Sequence, residues 1–167
     1  MVAFDYAPPW SGAIASFKFN AALDLVPSLS RQLLIAIRAS GVPLPELLLP
    51  VPLSEKRLRE RGFNQAWEIA RALRPELGCP SDPHLLLRTT DTPHQLALPP
   101  DARAANVRGA FAVEPLRRNE LRGKTLALID DVVTTGATAA EIAHTLLQAG
   151  AASVQVWALA RTPAPNR

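Results

Sequence analysis

The chain has one cysteine, Cys79, so neither an intrachain disulfide nor an all-cysteine zinc site is available to it. Set between Gly78 and Pro80, that thiol reads as a bystander. No apolar run approaches the ~20 residues that a membrane-spanning helix needs. No basic start followed by an apolar stretch marks a secretory leader either. A cytoplasmic protein without a membrane span is therefore expected. His84, His94 and His144 stand too far apart for a metal-ligand spacing. Charge of one sign is scarce as well: 18 Lys and Arg against 15 Asp and Glu leave a net +3, too little to demand a nucleic-acid partner.

What is present is a sizeable core. With 48% hydrophobic and 20% charged residues over 167 positions, the composition predicts one globular domain. The 16 prolines cluster at Pro8-Pro9, Pro43–Pro52, Pro99-Pro100 and Pro163–Pro165, which reads as loops. Helical spacing runs through Leu25, Leu29, Leu33, Leu34 and Ile37 within 21–38, with Pro27 in the first turn. It returns over 64–73 and stops before Pro75. Leu47–Leu49 and Leu126–Ile129 read as buried strands, as do Leu85–Leu87, Ala110–Val113 and Val154–Leu159. Ala137–Ala149 reads as a helix. Strand, helix, strand in that order at the carboxyl half means a parallel crossover, hence an α/β class. The stretch from Thr89 to Ala105 has no sustained period, and a loop of that length is usually functional or mobile.

The chemistry concentrates in Leu126-Ala-Leu-Ile-Asp-Asp-Val-Val-Thr-Thr-Gly-Ala-Thr138. An apolar strand delivers two carboxylates, Asp130 and Asp131, at its carboxyl end, where parallel sheets bind ligands. Thr134, Thr135, Gly136, Ala137 and Thr138 follow as a small-residue turn opening a helix. Successive backbone N–H groups and the helix dipole suit such a turn to a phosphate. Gly136 lets the backbone approach the ligand closely. The acids are suited to vicinal hydroxyls, or to helping hold a divalent metal with water. A sugar phosphate satisfies both halves. An ordinary helix cap would explain one Thr or Asp of this string, but not the two acids and five-residue turn together.

A second cluster, Lys56, Arg57, Arg59 and Arg61 with Glu55 and Glu60, is either a solvated helix face or an anion site. Asn64 or Gln65 either caps and braces the adjacent turn or is purely structural. Phe63, Trp67 and Trp157 are expected in the core. The aromatic stretch Tyr6, Trp10, Phe17 and Phe19, with Lys18 inside it, is expected to pack on the sheet or on a partner chain. His144 is expected to lie at the surface.

Asp130-Asp131-Val-Val-Thr-Thr-Gly-Ala-Thr138 resembles the phosphoribosyl pyrophosphate motif of type I phosphoribosyltransferases. The block Val51-Pro-Leu-Ser-Glu-Lys-Arg-Leu-Arg-Glu-Arg-Gly-Phe-Asn-Gln65 is similar to that of the ComF/GntX competence-related family. So are Gln95, Arg103 with Asn106, Gly109 to Phe111, and Lys18. The resemblance covers about residues 12–161. It implies a parallel sheet of about five strands flanked by helices, with a small hood. It also implies phosphoribosyl pyrophosphate as ligand and Mg²⁺ as cofactor. Asp130 and Asp131 would hold the ribose hydroxyls as catalytic residues, Mg²⁺ being held through the substrate and by one of these acids. The turn Thr134–Thr138 would hold the 5-phosphate. Val51, Pro52, Leu53 and Ser54 would form the pyrophosphate turn, with Lys56, Arg57 and Arg61 neutralising the leaving group. The 89–105 stretch, with His94, Gln95 and Arg103, would be the lid.

Two departures from the family pattern qualify this. Most ComF-like proteins begin with a cysteine-rich, zinc-ribbon-like segment, and nothing before Trp10 supplies one. Thr134 stands where some purine-specific members carry an acid, and a threonine cannot serve as a base near neutral pH. The implied activity is phosphoribosyl transfer to an acceptor that the sequence does not identify. The alternatives are a non-catalytic sensor of the same ligand, partnering competence proteins and single-stranded DNA, and a nucleic-acid-binding module without a live pocket. Oligomeric state, a homodimer included, stays open.

Overall fold

The computed structural model describes residues 1–90 and 106–163. The lid candidates His94, Gln95 and Arg103 lie outside them.

The central sheet has four strands: β1 (Val2–Asp5), β2 (Leu47–Pro50), β5 (Thr125–Val133) and β6 (Ser153–Arg161). They are all parallel, in the order β1-β6-β5-β2. In β5, Leu126, Ala127, Leu128 and Ile129 are all fully buried. A continuous apolar run with no alternation is what a strand covered on both faces requires. The pleat still sorts them. Leu126 and Leu128 join one core with Leu47, Leu49, Ile142 and Leu146, whereas Ala127 and Ile129 join the other with Phe17, Leu33, Ile69 and Trp157.

Helices supply the covers. On the Ala127 face lie α1 (Trp10–Phe19), α2 (Val26–Ser40) and α4 (Gln65–Leu77). Helix α2 buries Val26, Leu29, Ser30, Leu33, Leu34 and Ile37, one stripe at the 3.6-residue period. It begins at Val26, later than the expected Ala21, because a short 3₁₀ turn, Leu23–Leu25, precedes it. Helix α4 runs through Pro75 to Leu77, two residues past that proline, which was expected to lie beyond its end. Near a carboxyl terminus the proline forfeits a single ladder bond. Leu77 packs on the core, and Gly78, at φ 62°, caps the end. The seven-residue α3 (Glu55–Arg61) stands between β2 and α4. On the other face lies α5 (Ala137–Gln148), with Ala139, Ile142 and Leu146 buried.

The expectation of about five parallel strands resolves into four plus a hairpin. Leu86–Arg88 (β3) and Phe111–Val113 (β4) pair antiparallel in a separate two-stranded sheet. Short apolar runs of this kind look the same in either sheet, so the sequence did not assign them. The helices that follow β2 and β5 depart to opposite faces, α4 to one and α5 to the other. That reversal between neighbouring strands opens a crevice at their carboxyl ends, the usual place for a ligand in open α/β sheets.

Candidate functional site

The crevice collects most of the expected residues. Strand β5 ends in Asp130 and Asp131, whose side chains diverge because successive residues face opposite sides of a sheet. Asp130 is half-buried and faces the turn at the start of α5, lining one small cavity with Thr134, Gly136 and Thr138. That cavity measures ≈ 30 Å³, about one water's share of liquid volume. Its lining of small residues at a helix start forms a narrow cradle. Gly136 forms its rim at φ 79° and ψ 0°, left-handed, and a Cβ built there would meet nothing within 4 Å. Helix α5 has no side-chain cap, and its first in-helix acceptor is the Gly136 carbonyl, bonded at 2.8 Å by Ala140 N–H. Thr135 Oγ1 turns back to accept from Ala137 N–H at 3.4 Å, and the residue does not line this cavity.

Asp131 faces the other way. It is 2% exposed, and Lys18 Nζ of α1 lies 2.8 Å from its Oδ2 as an ionic contact. Its Oδ1 accepts from Val132 N–H at 2.9 Å, while Asp130 Oδ1 accepts from Asp131 N–H at 2.8 Å. The two carboxyls are pushed apart in acidity. Burial, then the neighbouring Asp131 charge, drive Asp130 well above the usual carboxylate range. Burial also pushes Asp131 up, but the Lys18 ammonium and the hydrogen bonds outweigh it and hold Asp131 below that range. Asp131, beside Lys18, is therefore the more acidic of the two.

Across the crevice, the turn after β2 is rigid. Val51, Pro52 and Ser54 are buried and Leu53 half-buried. Val51 N–H donates to the Ile129 carbonyl at 2.9 Å, and Asn64 Nδ2 donates to the Val51 carbonyl at 3.0 Å. Asn64 Oδ1 also caps α4, accepting from Ala66 N–H at 2.9 Å and Trp67 N–H at 3.4 Å. Asn64 thus both caps α4 and braces the turn after β2. Ser54 Oγ caps α3 by accepting from Arg57 N–H at 3.4 Å.

Arg57 and Arg61 of α3 line a ≈ 260 Å³ cavity with Lys18, Phe19 and Phe63. Lys56 is exposed on α3 and is not among the residues lining it. Arg61 donates to Gln65 Oε1. Burial lowers the Arg61 pKa, against the raising effect of the Asp131 charge. The sequence carried no sign that Lys18 reaches Asp131, since the contact spans over a hundred residues. Two larger grooves, ≈ 660 Å³ between α5 and β4 and ≈ 570 Å³ between α2 and α4, hold none of the strand-end residues. Volume is a poorer guide here than chemistry.

Mg²⁺ usually keeps several waters and is held by one or two carboxylates plus substrate phosphates. No three His, Cys, Asp or Glu side chains come together among the described residues. Of the two acids only Asp130 lines the cavity at the start of α5, Asp131 being tied to Lys18, so one carboxylate is placed to share such an ion with a substrate phosphate. No helix among the described residues is long and apolar enough to cross a membrane.

No family model matches the chain. Among solved structures, the allosteric regulatory enzyme of purine biosynthesis aligns over 81% of this chain and 25% of its own, with TM-score 0.52 and 22% identity. The glutamine phosphoribosylpyrophosphate amidotransferase of B. subtilis, complexed with ADP and GMP, aligns over 80% and 26%, with TM-score 0.50 and 20% identity. The architecture is thus that of a phosphoribosyltransferase-type α/β domain. The DNA utilization protein YhgH of Escherichia coli K12 is 41% identical over 162 residues, 95% of this chain and 70% of that protein. Competence protein F of Haemophilus influenzae is 36% identical over 160 residues, 93% and 69%. The chain belongs to the YhgH/competence protein F family.

Proposed function

We propose that the domain binds phosphoribosyl pyrophosphate with Mg²⁺ and transfers its phosphoribosyl group to an acceptor nucleophile. One observation carries this: Asp130 faces a glycine-rimmed cradle at the start of α5, while the cations of α3 line the opposite side of the same strand ends. The cradle and helix dipole would take the 5-phosphate. Asp130 would accept from ribose hydroxyls, while Asp131, paired with Lys18, would fix α1 at the strand end. The hydroxyl contacts to Asp130 would strengthen as the ribose becomes oxocarbenium-like. The bond from C1 to the pyrophosphate oxygen breaks, its electron pair leaves with pyrophosphate, and the acceptor's lone pair forms the new bond to C1. Bound Mg²⁺ would neutralise the leaving charge.

A second reading has support of its own. Asp131 is already committed to Lys18, leaving one acid for the sugar, and the relatives are named for DNA utilization and competence. On this reading the pocket senses the ligand without turnover, and the domain handles single-stranded DNA alongside competence proteins. Calorimetry with phosphoribosyl pyrophosphate and Mg²⁺, paired with an assay for pyrophosphate release, separates the two. Binding with release that Asp130→Asn abolishes supports transfer. Binding without release across an acceptor panel supports sensing. Salt-sensitive binding of single-stranded DNA that ignores Asp130→Asn, with no affinity for phosphoribosyl pyrophosphate, overturns both.

A further inference from the structure

The ≈ 260 Å³ cavity beside Asp131 has an unusual lining. Two phenyl rings, Phe19 and Phe63, share it with Lys18, Arg57 and Arg61, and Glu60 is the one carboxylate in it. Phe63 is anchored, its ring centroid 5.7 Å from that of the fully buried Phe17. Phe19 is 64% exposed, with the Arg61 guanidinium 5.7 Å from its centroid. Single exposed apolar residues are ordinary. What sets Phe19 apart is its place, next in sequence to the lysine that holds Asp131.

The chain builds that placement deliberately. Helix α1 ends at Phe19, and the N–H groups of Asn20 and Ala22 both return to the Ser16 carbonyl, at 2.9 and 3.3 Å. Ala21 between them has φ 51°, the one non-glycine residue with positive φ among the described residues. An alanine holds that left-handed conformation against steric repulsion. The turn it makes also lines the cavity.

We propose that this cavity is the acceptor platform, and that it takes a small planar heteroaromatic carboxylate. The inference rests on the phosphoribosyl-transfer reading and names the substrate class for it. Charge selects the anion. Lys18 is neutralised by Asp131, which leaves Arg57 and Arg61 against Glu60, an excess of one positive charge. The Arg61 fork, braced by Gln65, matches a carboxylate. Shape selects the ring, because a π-face stacks on Phe19 as bases do on aromatic platforms. Size bounds the ligand to a small ring system, since the volume lies below the ~300 Å³ at which pockets for drug-sized ligands begin. An unprotonated ring nitrogen attacking C1 has no proton to lose, so the platform needs no base, and Thr134 in place of an acid is no handicap.

The test uses the full chain and ligand-observed NMR with nicotinate, nicotinamide, acetate and pyrophosphate as probes. Nicotinate is expected to bind at least tenfold tighter than nicotinamide, which lacks the charge, and than acetate, which lacks the ring. Phe19→Ala is expected to weaken nicotinate about tenfold and to leave the affinity for phosphoribosyl pyrophosphate with Mg²⁺ within twofold. Equal binding of the two ring probes, or nicotinate affinity indifferent to Phe19→Ala, overturns the platform. So does pyrophosphate binding that Phe19→Ala leaves intact while nicotinate shows none. If phosphoribosyl pyrophosphate binds and no ring probe does, the platform fails while the donor site stands. If Phe19-dependent nicotinate binding appears without donor binding, the platform stands and the donor reading fails.

Discussion

Lys18 Nζ sits 2.8 Å from Asp131 Oδ2, tying α1 to the end of β5. Asp131 is 2% exposed, so its charge has little water to fall back on. Breaking a buried pair by removing one partner costs ~3–5 kcal/mol, and the partly exposed Lys18 places this one near the lower end. Lys18→Met is expected to destabilise the protein by about 3 kcal/mol at neutral pH, measured by urea unfolding. The loss has a pH signature. In the wild type Asp131 is held below the usual carboxylate range, so its stabilising share is present above that range and fades as pH falls through its depressed value. Below it Asp131 is neutral in both proteins, and the gap between them should close. A gap that stays constant down to that pH would mean the ammonium acts through packing alone.

Asp130 has the opposite sign. Burial and the Asp131 charge raise its folded pKa, so the folded state holds a proton that the unfolded chain has released. Its contribution to stability is full below the ordinary carboxylate value and disappears as pH rises through the folded value. At neutral pH the residue is a liability. Asp130→Asn is expected to raise stability there by about 1 kcal/mol, ~2–4 °C in Tm for a chain of this size. The gain should vanish below the ordinary carboxylate value, while affinity for phosphoribosyl pyrophosphate is lost. Calorimetric melts at neutral and acid pH check both halves. A variant less stable at neutral pH would show that Asp130 is satisfied as an ion.

How far the sequence could be read follows from the range of each interaction. The cradle was legible because its parts are consecutive, from the Leu126 run to Thr138. The α4 cap was legible for the same reason: Asn64 bonds residues two and three places on. Strand β1 was not, since Val2–Asp5 takes its sheet place only through pairing with β6, over 150 residues away. Leu86–Arg88 read as a strand, but the sheet it joins is chosen by tertiary partners rather than by its own apolar run. Lys18 could be placed within an aromatic stretch, but its carboxylate partner could not.

Asn64 serves two elements with one amide, capping α4 through Oδ1 and bracing Val51 through Nδ2. An N-cap changed to alanine costs ~0.5–2 kcal/mol, and a half-buried carbonyl left without its donor costs further. Asn64→Ala is expected to lose about 2 kcal/mol. Asn64→Ser keeps a cap hydroxyl, adds no charge and withdraws the donor to Val51. If the turn after β2 positions pyrophosphate, Asn64→Ser should weaken pyrophosphate more than ribose 5-phosphate. Equal losses for the two ligands, by calorimetry, would detach the brace from pyrophosphate binding.

Gly136 gives the most direct test of the cradle. A Cβ there meets no protein atom within 4 Å, so a larger side chain enters open space rather than the core, and on the proposed reading that space is the one the 5-phosphate takes. At φ 79° any substitution is strained, at about 1–2 kcal/mol. Gly136→Val should therefore lower Tm by a few degrees and leave the fold intact. Gly41→Val is the matched control: φ 66°, open space around its Cβ, and a position capping α2 away from the crevice. Both variants should melt alike, while only Gly136→Val loses affinity for phosphoribosyl pyrophosphate, by at least a hundredfold. Two variants that bind equally well would place the 5-phosphate somewhere other than the turn from Thr134 to Thr138.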